Sequence, residues 1–76
     1  MIDITLGMKL RAAGNEYLVL PGGERFAVWH QGDLCQVVGM FLNSSTLEIM
    51  VELPDGETQS MPPSDLVDRF MPANIH

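Results

Sequence analysis

The sequence predicts a mainly β fold. The expected form is one strongly bent antiparallel barrel of five or six strands over residues 1–76, with a single short helical turn near the C-terminus. Three observations carry this. Turn-forming clusters cut the chain into short runs. Leu47 to Leu53 places an apolar residue at every second position with Glu48 and Glu52 between, and no long stretch carries a helical period.

The alternating run comes first because it is the clearest. Leu47, Ile49, Val51 and Leu53 share one face, and Glu48, Met50 and Glu52 occupy the other. That period predicts a half-buried antiparallel strand with the first set inward and both glutamates exposed. Pro54-Asp55-Gly56 then reverses the chain, so that Glu57 to Met61 pairs back. Upstream, Leu34 to Leu42 reads as a strongly buried strand, with Gly39 marking a bulge or bend. Tyr17 to Leu20 and Arg25 to Trp29 flank Pro21-Gly22-Gly23 as an earlier hairpin, and Ile2 to Arg11 is expected to be extended. Ser64 is a candidate cap for a turn that places Leu66 and Phe70 on one face. Pro62-Pro63 and Pro72 confine that element.

Composition bounds the function. Four Lys+Arg stand against ten Asp+Glu, a net charge of −6, and Lys9, Arg11, Arg25 and Arg69 are scattered. Direct nucleic-acid binding is disfavoured, since it draws on clustered cations that release counterions. A basic protein partner suits such a surface better. Cys35 is the only cysteine and His30 and His76 the only histidines, too few for an intrachain disulfide or a four-ligand zinc site. Met1 to Thr5 lacks the charged start and apolar core of a signal peptide, and Val37 to Leu42 is too short to cross a bilayer. A cytoplasmic protein without cofactor or membrane contact is expected. Chains this short bury only about 60% of their unfolded surface, which favours self-association, as a symmetric dimer, for extra support.

Candidate chemistry is sparse. His30, Asp33 and Cys35 crowd together in sequence as a thiolate activated by histidine would require. Neighbours on a strand point to opposite faces, however, so Cys35 is expected in the core, Asp33 in a turn and His30 at the surface. Glu48, Glu52, Asp55 and Glu57 read as a solvated strand face that discourages edge pairing and offers an acidic docking patch. Six methionines are many for this length; Met40, Met50 and Met61 are candidates for an adaptable apolar surface, with ordinary core filling the alternative. Trp29 and Tyr17 are either core anchors or part of a recognition groove. The candidate partner-binding set is therefore Trp29, Met40, Glu48, Met50, Glu52 and Met61.

The block Gly32-Asp33 through Gly39, then Leu47 to Leu53, Asp55-Gly56-Glu57-Thr58, and Pro63 to Val67 resembles an SH3-like barrel of the Tudor or KOW type. Such domains open a strand with Gly-Asp, turn on Asp-Gly and close with a short helical turn. The likeness covers about half the chain and implies a fold and a protein-binding module, of the kind carried on bacterial mobile elements. Gln36-Val37-Val38-Gly39, Val51-Glu52, and Gln59 with Met61-Pro62 also resemble the plasmid-type, trimethoprim-insensitive dihydrofolate reductases. That likeness implies a small oligomeric enzyme with its site on the symmetry axis. The family's pore-lining Val-Gln-Ile-Tyr is Thr58-Gln59-Ser60-Met61 here, so only Gln59 corresponds. The family's lysines have no counterpart near Pro21-Gly22-Gly23, and turnover of dihydrofolate is not expected.

Overall fold

The computed structural model describes residues 3–73. It holds seven strands and one helix: β1 (Lys9–Ala12), β2 (Glu16–Val19), β3 (Arg25–Trp29), β4 (Leu34–Asn43), β5 (Thr46–Glu52), β6 (Thr58–Met61), α1 (Pro63–Arg69) and β7 (Phe70–Pro72). Five strands form one antiparallel sheet in the order β6-β5-β4-β1-β7, and β2-β3 is a separate two-stranded sheet inserted between β1 and β4. The strand count thus exceeds the expected five or six. Among the described residues β6 and β7 stay at the two edges of the sheet without pairing to each other.

Both Leu-Pro turns are built alike. In Leu20-Pro21-Gly22-Gly23-Glu24 the Leu20 N–H donates to the Glu24 carbonyl at 2.8 Å and the Gly23 N–H to the Leu20 carbonyl at 2.9 Å. In Leu53-Pro54-Asp55-Gly56-Glu57 the Leu53 N–H donates to the Glu57 carbonyl at 2.8 Å and the Gly56 N–H to the Leu53 carbonyl at 2.9 Å. Proline presets the first corner, and the last glycine takes the left-handed conformation, with φ of +87° at Gly23 and +91° at Gly56. Asp55 adds a side-chain link, accepting from the Glu57 N–H at 2.9 Å. The β4-β5 turn is different: Ser44 and Ser45 both have positive φ, 51° and 72°. That is the tight two-residue reversal whose twist matches its strands.

The core lies on the inner face of the five-stranded sheet under α1 and the base of β3. It is formed by Leu10, Ala12, Trp29, Cys35, Val37, Ile49, Val51, Leu53, Met61, Leu66 and Phe70. Register explains the set. Leu10 opposes Cys35, Val37 opposes Val51, and Ile49 opposes Met61, so each pair projects to the same side. The expected bulge is present, with the register shifting between Val37 and Gly39. A Cβ on Gly39 would lie 3.5 Å from the Met50 Cβ, in ordinary contact, so the bulge and not lack of space accounts for the glycine.

Five expectations change. Within Leu34 to Leu42 only Cys35 and Val37 are buried, because the strand extends past the core at both ends, and Glu48 is half-buried rather than exposed. Ile49, Val51 and Leu53 are buried and Glu52 exposed as the alternation predicts, but Leu47 is 41% exposed because the β4-β5 hairpin runs on beyond the core. The helix begins at Pro63 with Pro62 as its cap residue and no capping side chain, so Ser64 does not fill that role. Of the stretch Ile2 to Arg11, only Lys9 onward is strand among the described residues, and Ile2 lies outside them. No helix in the described residues is long and apolar enough to cross a membrane.

Candidate functional site

The β2-β3 hairpin is tied down at its base and free above it. At the base, Asn15 Oδ1 accepts from the Gln31 N–H at 2.7 Å, and Glu16 faces Arg69 of α1 at 3.8 Å. Higher up, Leu18 is 56% exposed, Phe26 56% and Val19 63%. Leu18 and Phe26 are a cross-strand pair. The Arg25 guanidinium stacks over the Tyr17 ring at 4.1 Å from its centroid, which steadies the hairpin locally.

This overhang creates a groove. Two depressions, of about 220 and 240 Å³, meet at Glu16, Trp29 and Arg69. One runs beneath the hairpin base past Asn15 and Asp68, and the other between Tyr17 and Leu18 on one side and Ser60, Pro62 and Asp65 on the other. Trp29 and Met61 contribute to the lining while remaining core residues. The Trp29 ring lies 5.0 Å from that of Phe70 at 45°, a tilted packing that fixes the indole. Three carboxylates, Glu16, Asp65 and Asp68, line the groove against one guanidinium, Arg69. Since Arg69 faces Glu16, the uncompensated charge is negative.

The six candidate residues fall in different places. Trp29 and Met61 are core residues, 3% and 4% exposed, because neighbours in space close over the faces that strand position alone leaves open. Met40, Met50 and Met61 do not share one surface. Met40 opposes Ile49, which opposes Met61, along the inner face, whereas Met50 opposes Gly39 and Ser60 on the outer one. The bulge at Gly39 is what separates Met40 from Met50. Glu52, between Gln36 and Thr58, is exposed on the outer face, and Glu48 is half-buried, its Oε2 without a hydrogen-bond donor among the described residues. Tyr17 and Trp29 are the groove residues with a signal in the sequence. Glu16, Leu18, Pro62, Asp65 and Arg69 carry none, since they come together only through the fold.

The His30-Asp33-Cys35 cluster is not assembled for nucleophilic attack. Asp33 Oδ2 accepts from the His30 backbone N–H at 2.9 Å and lies 3.9 Å from its Nδ1, forming a surface turn. Cys35 is buried against Leu10, its Sγ directed to the Asp33 carbonyl at 3.8 Å. Burial, and secondarily the Asp33 carboxylate, push its thiol up to about 11, so it stays protonated at neutral pH. Among the described residues no group of three His, Cys, Asp or Glu is placed to hold a metal ion. Gln59-Ser60-Met61 forms most of edge strand β6, with Gln59 and Ser60 exposed. No protein-family model, curated protein or solved structure matches this chain.

Proposed function

We propose that the chain is a non-enzymatic, SH3-like protein-interaction module that takes a basic, partly apolar segment of another protein into the groove beside the β2-β3 hairpin. The carrying observation is the apolar hairpin overhanging an acidic groove: Leu18 and Tyr17 on one wall, Asp65 and Pro62 on the other. Exposed apolar side chains concentrated beside uncompensated carboxylates favour a partner that is both oily and cationic. The strand order β7-β1-β4-β5-β6, with a hairpin inserted after β1 and a short helix before β7, supports the SH3-like reading. The outer-face carboxylates Glu48 and Glu52, with Met50, offer a second acidic patch that extends the same preference. The enzyme reading has less support, because Met61 fills the core where the reductase scaffold lines its pore.

Selection from a random peptide library against the immobilised chain tests this. Enriched sequences should combine Lys or Arg with large apolar residues, and their binding should fall at least about tenfold in Asp65→Lys and Tyr17→Ala. No enrichment, or binders indifferent to both substitutions, would remove the groove from the account.

A further inference from the structure

We propose that two copies of this chain join through antiparallel pairing of β4 with β4, along Val38 to Asn43. β1 covers β4 only at its start, where Lys9, Leu10 and Arg11 oppose Gln36, Cys35 and Leu34. The last links are the Val37 N–H to the Met8 carbonyl at 2.9 Å and the Gly7 N–H to the Val37 carbonyl at 2.8 Å. Beyond them β4 continues to Asn43 with β5 on one side and, among the described residues, no strand on the other. A free strand edge is normally guarded by charge, proline, shortness or a bulge. The remaining edges of the sheet are so guarded: β6 has four residues and runs into Pro62-Pro63, and β7 has three and ends in Pro72. Val38 to Asn43 is not. The sequence from Leu34 to Leu47 contains no charged residue and no proline, and the bulge sits at the base of the stretch.

A second copy fits this edge better than the basic partner proposed for the groove. Val38 to Asn43 itself carries no carboxylate for a cation, although the chain as a whole is at −6; the one beside it, Glu48 opposite Phe41 on β5, is half-buried and lies one strand away from the free edge. Two such acidic chains can meet here without placing charge on charge. Antiparallel pairing of a strand with itself is also closed by a two-fold axis, consuming both free edges at once.

The turn sets which backbone groups of β4 face the free edge. The Ser44-Ser45 reversal leaves Asn43 opposite Thr46 as the closing pair, which is hydrogen-bonded in this turn type. Bonding to β5 therefore recurs at Phe41, and Met40 and Leu42 direct their N–H and C=O groups to the free edge. With the two-fold axis centred on Phe41, Met40 faces Leu42 of the second copy through reciprocal backbone hydrogen bonds and Phe41 faces Phe41, which is the proposed register. Phe41 and Leu42 are exposed in the single chain, Leu42 at 73%, so each gains burial by pairing.

This pairing does not rest on the groove's occupant, so either proposal survives failure of the other. Light scattering over a dilution series should give twice the chain mass, falling to the single mass on dilution. Leu42→Lys should weaken association about tenfold or more, through like charges set across the axis, with its far-UV spectrum and peptide binding retained. Under mild oxidation Phe41→Cys should form a covalent dimer and Leu47→Cys, on β5, should not. That arm decides the matter if Leu42→Lys fails to fold. A single-chain mass at high micromolar concentration overturns the proposal, as does association that Leu42→Lys leaves intact, or equal cross-linking of the two cysteine variants.

Discussion

Hairpins β2-β3 and β5-β6 turn on nearly the same five residues, Leu20-Pro21-Gly22-Gly23-Glu24 and Leu53-Pro54-Asp55-Gly56-Glu57, with matching hydrogen bonds. Their surroundings are opposite. β5-β6 supplies Ile49, Val51, Leu53 and Met61 to the core, while β2-β3 leaves Leu18, Val19 and Phe26 in solvent. Local chemistry fixes how each chain segment reverses, and its place in the sheet decides what the reversal is worth. β5-β6 is joined to β4 by a long ladder; β2-β3 pairs only with itself and is held at its base. One hairpin is built into the core, and the other projects into solvent, where recognition is proposed. The radius of gyration, 12.8 Å, reflects such projections, since a compact chain of this length has about 11 Å.

The largest expected effect comes from Val51→Asp, which places an unpaired carboxylate at a position with no exposure. Its cost should match or exceed the whole stability of a domain this small, on the order of 5 kcal/mol, and circular dichroism should report an unfolded chain. A folded Val51→Asp protein would break the comparison at its stable end.

Cys35 reports on the same core through pH. Its thiol rises from the ordinary 9.0 to about 11 in the folded chain, so the unfolded chain releases the proton first. Stability from this group is complete below pH 9 and lost as pH climbs through 11. Urea midpoints measured from pH 8 upward should fall over that interval, and Cys35→Ala should flatten the fall. A wild-type midpoint that holds constant there would place the thiol in water.

The two turn glycines sharpen the comparison more finely. An alanine at either meets no steric obstacle, so the cost is the left-handed backbone alone, about 1 kcal/mol. Gly56→Ala should lower the unfolding free energy obtained from urea denaturation by that amount. Gly23→Ala should lower it less, because a weakly anchored hairpin opens locally without unfolding the rest. Equal losses would mean that β2-β3 is cooperative with the core.

The β5-β6 region was the more legible in sequence for the same reason that it is the more stable. Alternation at Ile49, Val51 and Leu53 reflects one buried face, and the Gly39 bulge and the Asp55-Gly56 turn carry their own backbone chemistry. Leu47 keeps the pattern but lies past the end of the core, a boundary that periodicity does not mark. β7 is hidden because Phe70-Met71-Pro72 is short and Pro72 reads as a stop, yet an edge strand tolerates the missing N–H. Between β2 and β3 the register shifts at Glu16 and Tyr17 and skips Val28, and the burial of Trp29 follows from its contact with Phe70, far away in sequence. The groove draws on β2, β6 and α1 together, so no contiguous pattern announces it.

The most direct test of the division between the hairpins is a urea denaturation of the double variant Leu18→Ser, Phe26→Ser, with peptide binding measured on the same preparation. Both side chains are 56% exposed and face each other across β2-β3. The unfolding free energy should stay within about 0.5 kcal/mol of wild type, as for surface changes generally, while affinity for library-selected peptides is lost. A loss of stability of several kcal/mol with binding retained would make β2-β3 part of the core's support and contradict the account.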